Sequence, residues 1–237
     1  MIEITDLKKN YKGSFQLNIQ KLHVRKGDII GFVGNNGAGK TTLFRLILDL
    51  IKRDSGKILI EGQDVKSSDT WRQNTSCFLD EGFLLSYLSV NEFISFKASV
   101  YQMLQDDIKR EIEKWGTLLE DDPSIYKKMI KDLSTGNKQK VGIISAAMVN
   151  PSLLILDEPF NYLDPSSQID VMKLLTKLNV EKGTTILLSS HNLEYVSDIS
   201  SQVVLLENGS ILKEFDTASD DVASSLKDYF YFRSKDA

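Results

Sequence analysis

The chain has 237 residues, of which 41% are hydrophobic and 26% are charged. This length corresponds to one large domain or to one domain with a subdomain, and the composition supports a packed core and excludes wholesale disorder. The formal net charge of −4 argues against a nucleic-acid partner, because a phosphate backbone demands basic protein faces.

The N-terminus and the single cysteine indicate where the chain works. The first residues, MIEITDLKKNYKG, lack the apolar core of a secretory signal peptide. No run approaches the length of about 20 apolar residues that a membrane-spanning helix needs. Cys77 cannot form an internal disulfide and is expected to be a packing residue in the reducing cytosol. We therefore expect a cytoplasmic protein that reaches a membrane only through a partner chain.

Strand patterns open the chain. Residues 2–7 and 15–23 alternate as strands, with a turn predicted at residues 12 and 13 between them. Tyr11 precedes that turn, and an aromatic residue there is more often a packing residue at a strand end. Shorter strands are predicted over residues 57–60 and 75–79. The second of these ends in the charged residues Asp80 and Glu81.

A glycine-rich motif, GNNGAGKTT at residues 34–42, fits the pattern G-x-x-x-x-G-K-[ST]. An apolar run at 29–33 predicts a buried strand before it, and the run at 43–51 has a helical period. Between a strand and a helix, the glycines let backbone amides point at phosphate oxygens. Lys40 is expected to reach the β- and γ-phosphates and the Thr41 hydroxyl to bind Mg²⁺. The alternative is a glycine-rich turn with a solvated lysine.

Helical patterns begin at residue 89, where Ser89 and Glu92 form a capping box. Two apolar stripes follow at helical spacing. The first comprises Phe93, Phe96, Val100 and Leu104, and the second Ile108, Ile112, Trp115 and Leu119. A break at residues 122–123 and a short basic helix over 126–131 are predicted next.

Residues 83–132 contain no predicted strand, and about fifty residues is long for a crossover between parallel strands. We interpret this segment as a helical subdomain inserted into a core of residues 1–82 and 133–237. The alternative is that these helices flank one continuous sheet.

Two carboxylates follow the most clearly buried strand of the chain, LLIL at residues 153–156. Asp157 emerges at the carboxyl edge of the sheet, where a Mg²⁺ site is expected in α/β folds. Glu158, one residue further, can hold the water that attacks a γ-phosphate, and its alternative role is that of a solvated loop acid. Asp164 and Pro165 predict the N-cap and first residue of a helix.

Three further patterns complete the chain. Residues 133–140, LSTGNKQK, start a helix to about residue 148; by themselves they indicate a cap at Ser134, although small residues at a helix start also bind anions. A strand over 184–188 ends near His191, and strands at 203–206 and 211–213 flank a predicted hairpin turn. The aromatic tail at 229–232 is compatible with a final helix or with a surface that covers a partner.

These motifs occur in the order and spacing of ABC-type ATPases: GNNGAGKTT, LSTGNKQK, LLILDEP, the loop at 161–164 and His191. The phosphate loop alone fits many NTPases, and the LSTG helix start before LLILDEP is the specific part. The chain resembles the nucleotide-binding subunits of ABC transporters over about residues 1–213. The resemblance implies an α/β fold with a P-loop NTPase core of ABC type, an antiparallel β subdomain and the inserted α-helical subdomain.

The resemblance also implies ligands and roles. Tyr11 stacks on adenine, Glu158 polarises the attacking water and His191 contacts the γ-phosphate. Mg²⁺ is held by Thr41 and Asp157, with Asp80 as a further candidate and Glu81 in its place if the alignment shifts. The phosphates of ATP are wrapped by Gly34, Asn35, Asn36, Gly37, Ala38, Gly39, Lys40, Thr41 and Thr42.

A second set of residues faces the ATP of another copy in a head-to-tail dimer that encloses two ATP molecules. These are Ser134, Thr135, Gly136, Asn137 and Asp164.

Three positions depart from the family. Thr135 and Asn137 stand where Gly and Gln are usual, and Asp80 stands where Gln is usual, which replaces an amide donor by a charge.

We expect a Mg²⁺-dependent ATPase subunit that energises transport. Its expected partners are a second ATP-binding subunit, in a homodimer, and integral membrane permease subunits that hold it at the cytoplasmic face of the cell membrane. The alternatives are a soluble ABC-type ATPase that acts on DNA or ribosomes, and a regulatory nucleotide-binding module. The acidic charge and the lack of sustained heptads before the LSTG helix disfavour the first alternative.

Overall fold

The computed structural model describes residues 1–11, 13, 15–119 and 123–233. The chain divides into two compact units. The first comprises Met1–Trp71 with Thr185–Ala237, and the second comprises Arg72–Thr184. Lys12 of the predicted first turn and Asp122 of the predicted break lie outside the described residues.

The first unit contains a four-stranded antiparallel sheet. Strand β1 (Ile2–Tyr11) pairs with β2 (Phe15–Val24) on one side and with β4 (Ser55–Ile60) on the other, and β4 pairs with the short β5 (Gln63–Asp64). Buried residues alternate with exposed ones along β1 and β2, as the period of a strand requires, with one interruption in each strand, where residues 5–6 and 20–21 are both exposed. The two predicted strands are confirmed, and β1 extends four residues beyond its predicted end because it stays paired with β2 up to Tyr11.

A second group of strands in the same unit carries the glycine-rich motif. Strand β3 (Ile29–Val33) is buried at every position and lies parallel to β8 (Thr185–Ser189) and β9 (Gln202–Glu207). A turn joins β9 to the antiparallel β10 (Ser210–Asp216), which confirms the predicted hairpin. Helix α1 (Lys40–Ile47) follows the motif and ends before residue 51, because Asp49 has a left-handed φ of 51°.

Two helices complete the described part of the first unit. Helix α6 (Leu193–Ile199) packs against β3, and α7 (Val222–Arg233) packs against α6. The Lys227 ammonium lies 2.7 Å from the Glu194 carboxylate and joins the two helices. The aromatic residues 229–232 lie in α7, as the prediction of a final helix expects.

The second unit is built on the parallel pair of β6 (Thr75–Phe78) and β7 (Leu153–Leu156). Helix α4 (Thr135–Ala147) packs against both strands, and at Gly142 an added side chain would overlap the ring of Phe78. Helix α5 (Pro165–Lys182) starts at the predicted cap, Asp164. The close approach of α4 to β6 fixes the start of α4 relative to the ends of these two strands.

Helices and single turns fill the segment between β6 and α4. They are α2 (Val90–Val100), which has the predicted capping box at Ser89, and α3 (Gln105–Gly116). The predicted basic helix is instead a pair of 3₁₀ turns, Pro123–Lys127 and Ile130–Asp132. Within the described part of residues 83–132, the only β pairing is an isolated bridge between Ser89 and Met129.

The predicted apolar stripe of α2 is wrong at three of its four positions. The helix buries Val90, Phe93, Ile94 and Ala98, whereas Phe96, Val100 and Leu104 are exposed. The sequence pattern fits two neighbouring faces of the helix. The helix packs against α4 and the 3₁₀ turn Pro123–Lys127, and the face that it buries is the one that contains the small Ala98. Leu104 lies beyond the helix, because Gln102 turns the chain with a φ of 54°. The stripe of α3 is confirmed at Ile108 and Trp115, Ile112 is half-buried, and Leu119 beyond the helix is also buried.

Candidate functional site

The loop between β3 and α1 closes tightly on itself in the first unit. Gly34 has a φ of 155°, and a side chain there would overlap the carbonyl oxygen of Leu206. The amide of Ala38 donates to the carbonyl oxygen of Asn35 over 3.0 Å. Asn35 and Asn36 are exposed, whereas Ala38 is buried. The loop therefore has a packed inner side and an open outer side.

Lys40 is the first residue of α1 and is only 7% exposed. Its ammonium donates a hydrogen bond to the carbonyl oxygen of Gly34 over 2.6 Å, so the charge lies at the loop and away from bulk solvent. The N-cap residue, Gly39, contributes no side-chain hydrogen bond to the first turn of α1. Helix N-termini attract anions through their amide groups, and a buried cation beside one adds to that attraction.

The turn between β9 and β10 is hydrogen-bonded to this loop. The amide of Gly209 donates to the carbonyl oxygen of Ala38 over 3.0 Å, and the Gly209 carbonyl accepts from the Asn18 amide over 2.7 Å. The sequence predicts the hairpin turn at this position, but it does not predict that the turn contacts the glycine-rich motif. That contact joins residues far apart in the chain, so no local pattern could have revealed it.

Two other candidate residues of the first unit lie at strand ends. Tyr11 ends β1, is 40% exposed, and has its ring centroid 6.4 Å from that of Phe15. The Lys9 ammonium lies 5.6 Å from the Tyr11 ring centroid. His191 is exposed and directly follows the buried Ser190, whose amide donates to the Phe32 carbonyl oxygen over 3.1 Å. Both candidates present an accessible ring from a fixed main chain.

In the second unit, Asp157 and Glu158 leave the end of β7. The Asp157 amide donates to the carbonyl oxygen of Phe78 over 3.0 Å and continues the pairing of β7 with β6. Asp157 is 8% exposed and Glu158 is half-buried. Glu158 has a left-handed φ of 49°, a conformation that costs a non-glycine residue about 1–2 kcal/mol. Surrounding contacts must therefore hold the main chain of Glu158.

The start of α4 carries four of the candidate residues. The Ser134 hydroxyl accepts a hydrogen bond from the Asn137 amide over 3.3 Å, which confirms the predicted cap. Ser134 and Thr135 are exposed, and Gly136 and Asn137 are half-buried. The outer face of this helix start is thus accessible.

The inner face of the same helix start packs against the segment that follows Glu158. A side chain at Gly136 would approach the Tyr162 carbonyl oxygen to 2.8 Å, so the contact is close. The side-chain amide of Gln139 donates to the Glu158 carbonyl oxygen over 3.0 Å. The sequence reasoning did not identify Gln139, because its partner lies 19 residues away and no local pattern links them.

Asp164 caps α5. One carboxylate oxygen accepts from the Ser167 amide over 3.0 Å and the other accepts from the Ser167 hydroxyl over 2.6 Å. These hydrogen bonds, first from the hydroxyl and then from the amide, hold the pKa of the Asp164 carboxyl below its usual range. Asp164 is exposed and is therefore ionised at neutral pH on the surface of the second unit.

The loop after β6 contains Asp80 and Glu81, the two acids that can align with the glutamine usual in the family. The Asp80 carboxylate accepts from the Gly82 amide over 2.8 Å and caps a 3₁₀ turn, Glu81–Phe83. The Glu81 carboxylate lies 3.2 Å from the Lys138 ammonium on α4. Both carboxylates are exposed at this loop, with Asp80 bonded to the local main chain and Glu81 paired across to α4.

The side chains suggested as Mg²⁺ ligands supply suitable atoms. Asp157 offers a nearly buried carboxylate and Thr41 a half-buried hydroxyl. Mg²⁺ prefers such oxygen ligands, and at nucleotide sites it takes others from phosphates and water. Among the residues that the structure describes, no group of three or more His, Cys, Asp or Glu side chains is arranged to hold a metal ion.

Comparison with known proteins identifies the family. Residues 17–161 match the family model described as ABC transporter. The petrobactin import ATP-binding protein of Bacillus subtilis (strain 168) is 32% identical over 90% of this chain and 86% of its own length. The bacitracin transport ATP-binding protein of Bacillus licheniformis is 34% identical over 90% of this chain and 69% of its own length.

The fold agrees with these sequence matches. A solved ATP-binding subunit of an ABC transporter superposes with a TM-score of 0.83 at 26% identity, over 96% of this chain and 93% of that one. The predicted α/β fold of ABC type is therefore confirmed. In the described part of the chain, no helix combines the length and hydropathy needed to cross a lipid bilayer. The chain belongs to the ABC transporter family, as one of its ATP-binding subunits.

Proposed function

We propose that this chain hydrolyses ATP with the loop at residues 34–42 and the acids Asp157 and Glu158, and that it does so as a head-to-tail dimer attached to membrane permease subunits. The observation that carries the proposal is the buried Lys40 ammonium, 2.6 Å from the Gly34 carbonyl oxygen at the start of α1. A buried cation beside helix amides favours a polyanion such as a triphosphate.

In this proposal, the loop residues bind the phosphates through main-chain amides and Lys40 contacts the β- and γ-phosphates. The residues are Gly34, Asn35, Asn36, Gly37, Ala38, Gly39, Lys40, Thr41 and Thr42. Tyr11 stacks on adenine, which its 40% exposed ring permits. Thr41 and Asp157 would hold Mg²⁺, which would neutralise charge on the β- and γ-phosphates.

Hydrolysis requires a water molecule to form a bond with the γ-phosphorus while the bond from that phosphorus to the β,γ-bridging oxygen breaks. Glu158 orients this water and accepts its proton, and ADP and phosphate are the products. His191 donates a hydrogen bond to the γ-phosphate. The bond that Asp80 accepts from Gly82 supports a structural role for this acid, so we assign the metal to Thr41 and Asp157.

A second copy completes each site in this proposal. Ser134, Thr135, Gly136 and Asn137 approach the ATP of the other copy, and Asp164 lines the interface. The exposure of Ser134 and Thr135 at the start of a helix supports this role, because the helix amides there attract phosphate. Asp164 caps the start of α5, and its ionised carboxylate supplies a charge that can pair across the interface.

We further assign residues 83–132 to the inserted helical subdomain and residues 1–82 and 133–237 to the core. The helices and 3₁₀ turns in the described part of 83–132 support the assignment. The chain then works at the cytoplasmic face of the cell membrane, held there by permease subunits. The cargo differs between the relatives, petrobactin in one and bacitracin in the other, so similarity assigns no cargo to this chain.

Steady-state phosphate release by Glu158→Gln tests the proposed chemistry. The variant keeps a side chain of the same size but lacks a base, so we expect kcat to fall by at least about a hundred-fold while ATP still binds. Lys40→Ala is the companion variant and should lose ATP binding. Undiminished phosphate release by Glu158→Gln contradicts the role of Glu158.

A further inference from the structure

We propose that Gln139 is a positioning residue for ATP hydrolysis and acts by holding the main chain of Glu158. This inference rests on the proposed role of Glu158. Gln139 lies on α4, is 7% exposed, and donates its side-chain amide to the Glu158 carbonyl oxygen over 3.0 Å. It does not belong to the residues assigned to ATP or Mg²⁺.

Glu158 needs such support because its backbone is strained. Its φ is 49°, and the following residue is Pro159, which pushes the residue before it towards extended conformations. Strained residues of this kind persist only where surrounding contacts over-determine them. The direction in which the Glu158 carboxylate points depends on this backbone conformation.

The carbonyl oxygen of Glu158 accepts hydrogen bonds both from its own segment and from α4. The Asn161 amide donates over 3.2 Å within the local turn, and the Gln139 amide donates over 3.0 Å from α4. The bond from Asn161 lies within the turn that follows Glu158, so it does not fix the position of that turn relative to the rest of the unit. The bond from Gln139 ties the segment to a helix that is packed on β6 and β7.

The contact at Gly136 brings the same helix start against the same segment. A side chain at Gly136 would lie 2.8 Å from the Tyr162 carbonyl oxygen. The segment from Glu158 to Tyr162 is therefore in contact with α4 at both of its ends, at Glu158 through Gln139 and at Tyr162 through Gly136. A misplacement of about 1 Å at a catalytic group costs a large factor in rate. We infer that Gln139 sets the position of the Glu158 carboxylate.

The first test compares Gln139→Met with wild type in steady-state hydrolysis. Methionine has a similar length and no amide donor, so we expect kcat to fall about 10- to 100-fold with KM for ATP changed less than about two-fold. Asn179→Leu is the matched control, because the Asn179 amide donates to the Thr184 carbonyl oxygen over 2.8 Å at the far end of α5. The control should lose stability and keep its kcat.

The second test uses Gln139→Glu and separates positioning from general loss of structure. An ionised Glu at this position offers no donor to the Glu158 carbonyl oxygen, whereas a protonated one does. Burial raises the pKa of such a carboxyl, so the donor returns as the pH falls. We expect the kcat of this variant relative to wild type to rise from about pH 8 to about pH 6, and that of Gln139→Met to stay flat.

Glu158→Gln is measured alongside, so that a failure of this inference can be distinguished from a failure of the proposed chemistry. Loss of hydrolysis in Glu158→Gln with unchanged kcat in Gln139→Met overturns the role of Gln139 alone. Unchanged hydrolysis in Glu158→Gln overturns the proposed chemistry itself. If Gln139→Met does not fold, a pH-independent kcat ratio for Gln139→Glu still overturns the inference, and a ratio that rises at low pH supports it.

Discussion

Gly209 shows how one residue supports the phosphate loop from outside the motif. Its amide donates to the Ala38 carbonyl oxygen, and its carbonyl accepts from Asn18. Its φ of 76° lies in the left-handed region, and a side chain there would overlap the Gln16 carbonyl oxygen. The position therefore requires glycine both for its backbone conformation and for its contact with β2.

We expect Gly209→Ala to lower the free energy of unfolding by about 2 kcal/mol or more, because backbone atoms must move in addition to the strain. It should also weaken ATP binding, since the main chain of residue 209 must move away from Gln16 and thereby shifts the amide that donates to the Ala38 carbonyl oxygen. Gly183→Ala is the control: Gly183 has a φ of 66° with open space around it, so only the strain of about 1 kcal/mol applies. Denaturant unfolding and ATP titration of both variants measure the difference, and equal losses contradict the role of the contact.

Cys77 gives a second prediction for a single residue. It is only partly exposed, and burial raises the pKa of its thiol to about 11, with an opposing influence from Lys97. The thiolate is the reactive form, so alkylation near pH 8 should be about a hundred-fold slower in the folded chain than in the unfolded chain. Because the folded pKa is raised, the thiol stabilises the fold fully below its ordinary pKa, and this contribution is lost as the pH rises towards 11. Equal alkylation rates in the two states contradict the burial.

At the level of helices and strands, most elements were predictable because their signals are local. The capping residues Ser89, Ser134 and Asp164 were identified from neighbouring residues, and the structure has all three caps. The outward face of α2 was not predictable, since it depends on packing against α4, which is distant in the chain. The same holds for the Gln139 contact with Glu158 and for the Lys138 pair with Glu81.

The capping box of α2 gives a prediction for this element. The Ser89 hydroxyl accepts from the Glu92 amide over 3.3 Å, and the Ser89 amide donates to the Glu92 carboxylate over 2.8 Å. We expect Ser89→Ala to cost about 1 kcal/mol and to lower Tm by about 2–4 °C. Because α2 carries none of the residues assigned to ATP, kcat should be unchanged. Thermal unfolding together with steady-state hydrolysis checks both statements, and an unchanged Tm contradicts the importance of the cap.

For the whole molecule, the residues proposed to contact ATP fall into two classes. Under the proposal, Tyr11, residues 34–42 and His191 contact the ATP bound to the same chain, and the residues at the start of α4 contact the ATP of another copy. The second class was assigned through resemblance to the family, because the residues themselves predicted only a helix cap. A dimer that depends on ATP follows from the two classes together, and a negative charge at the start of α4 should oppose it.

The most direct test is the sedimentation mass of Glu158→Gln with ATP, since this variant should bind ATP without turning it over. In the presence of ATP we expect twice the mass of one chain, and in its absence we expect the mass of one chain. Adding Ser134→Asp keeps a capping residue at α4 and sets a carboxylate against the opposite phosphates, so the mass should return to that of one chain while ATP still binds. Ser95→Asp, the same change at an exposed position of α2, which carries none of the residues assigned to ATP, should leave the dimer intact. A dimer that persists with Ser134→Asp, or a single chain with ATP bound in Glu158→Gln, contradicts the head-to-tail arrangement.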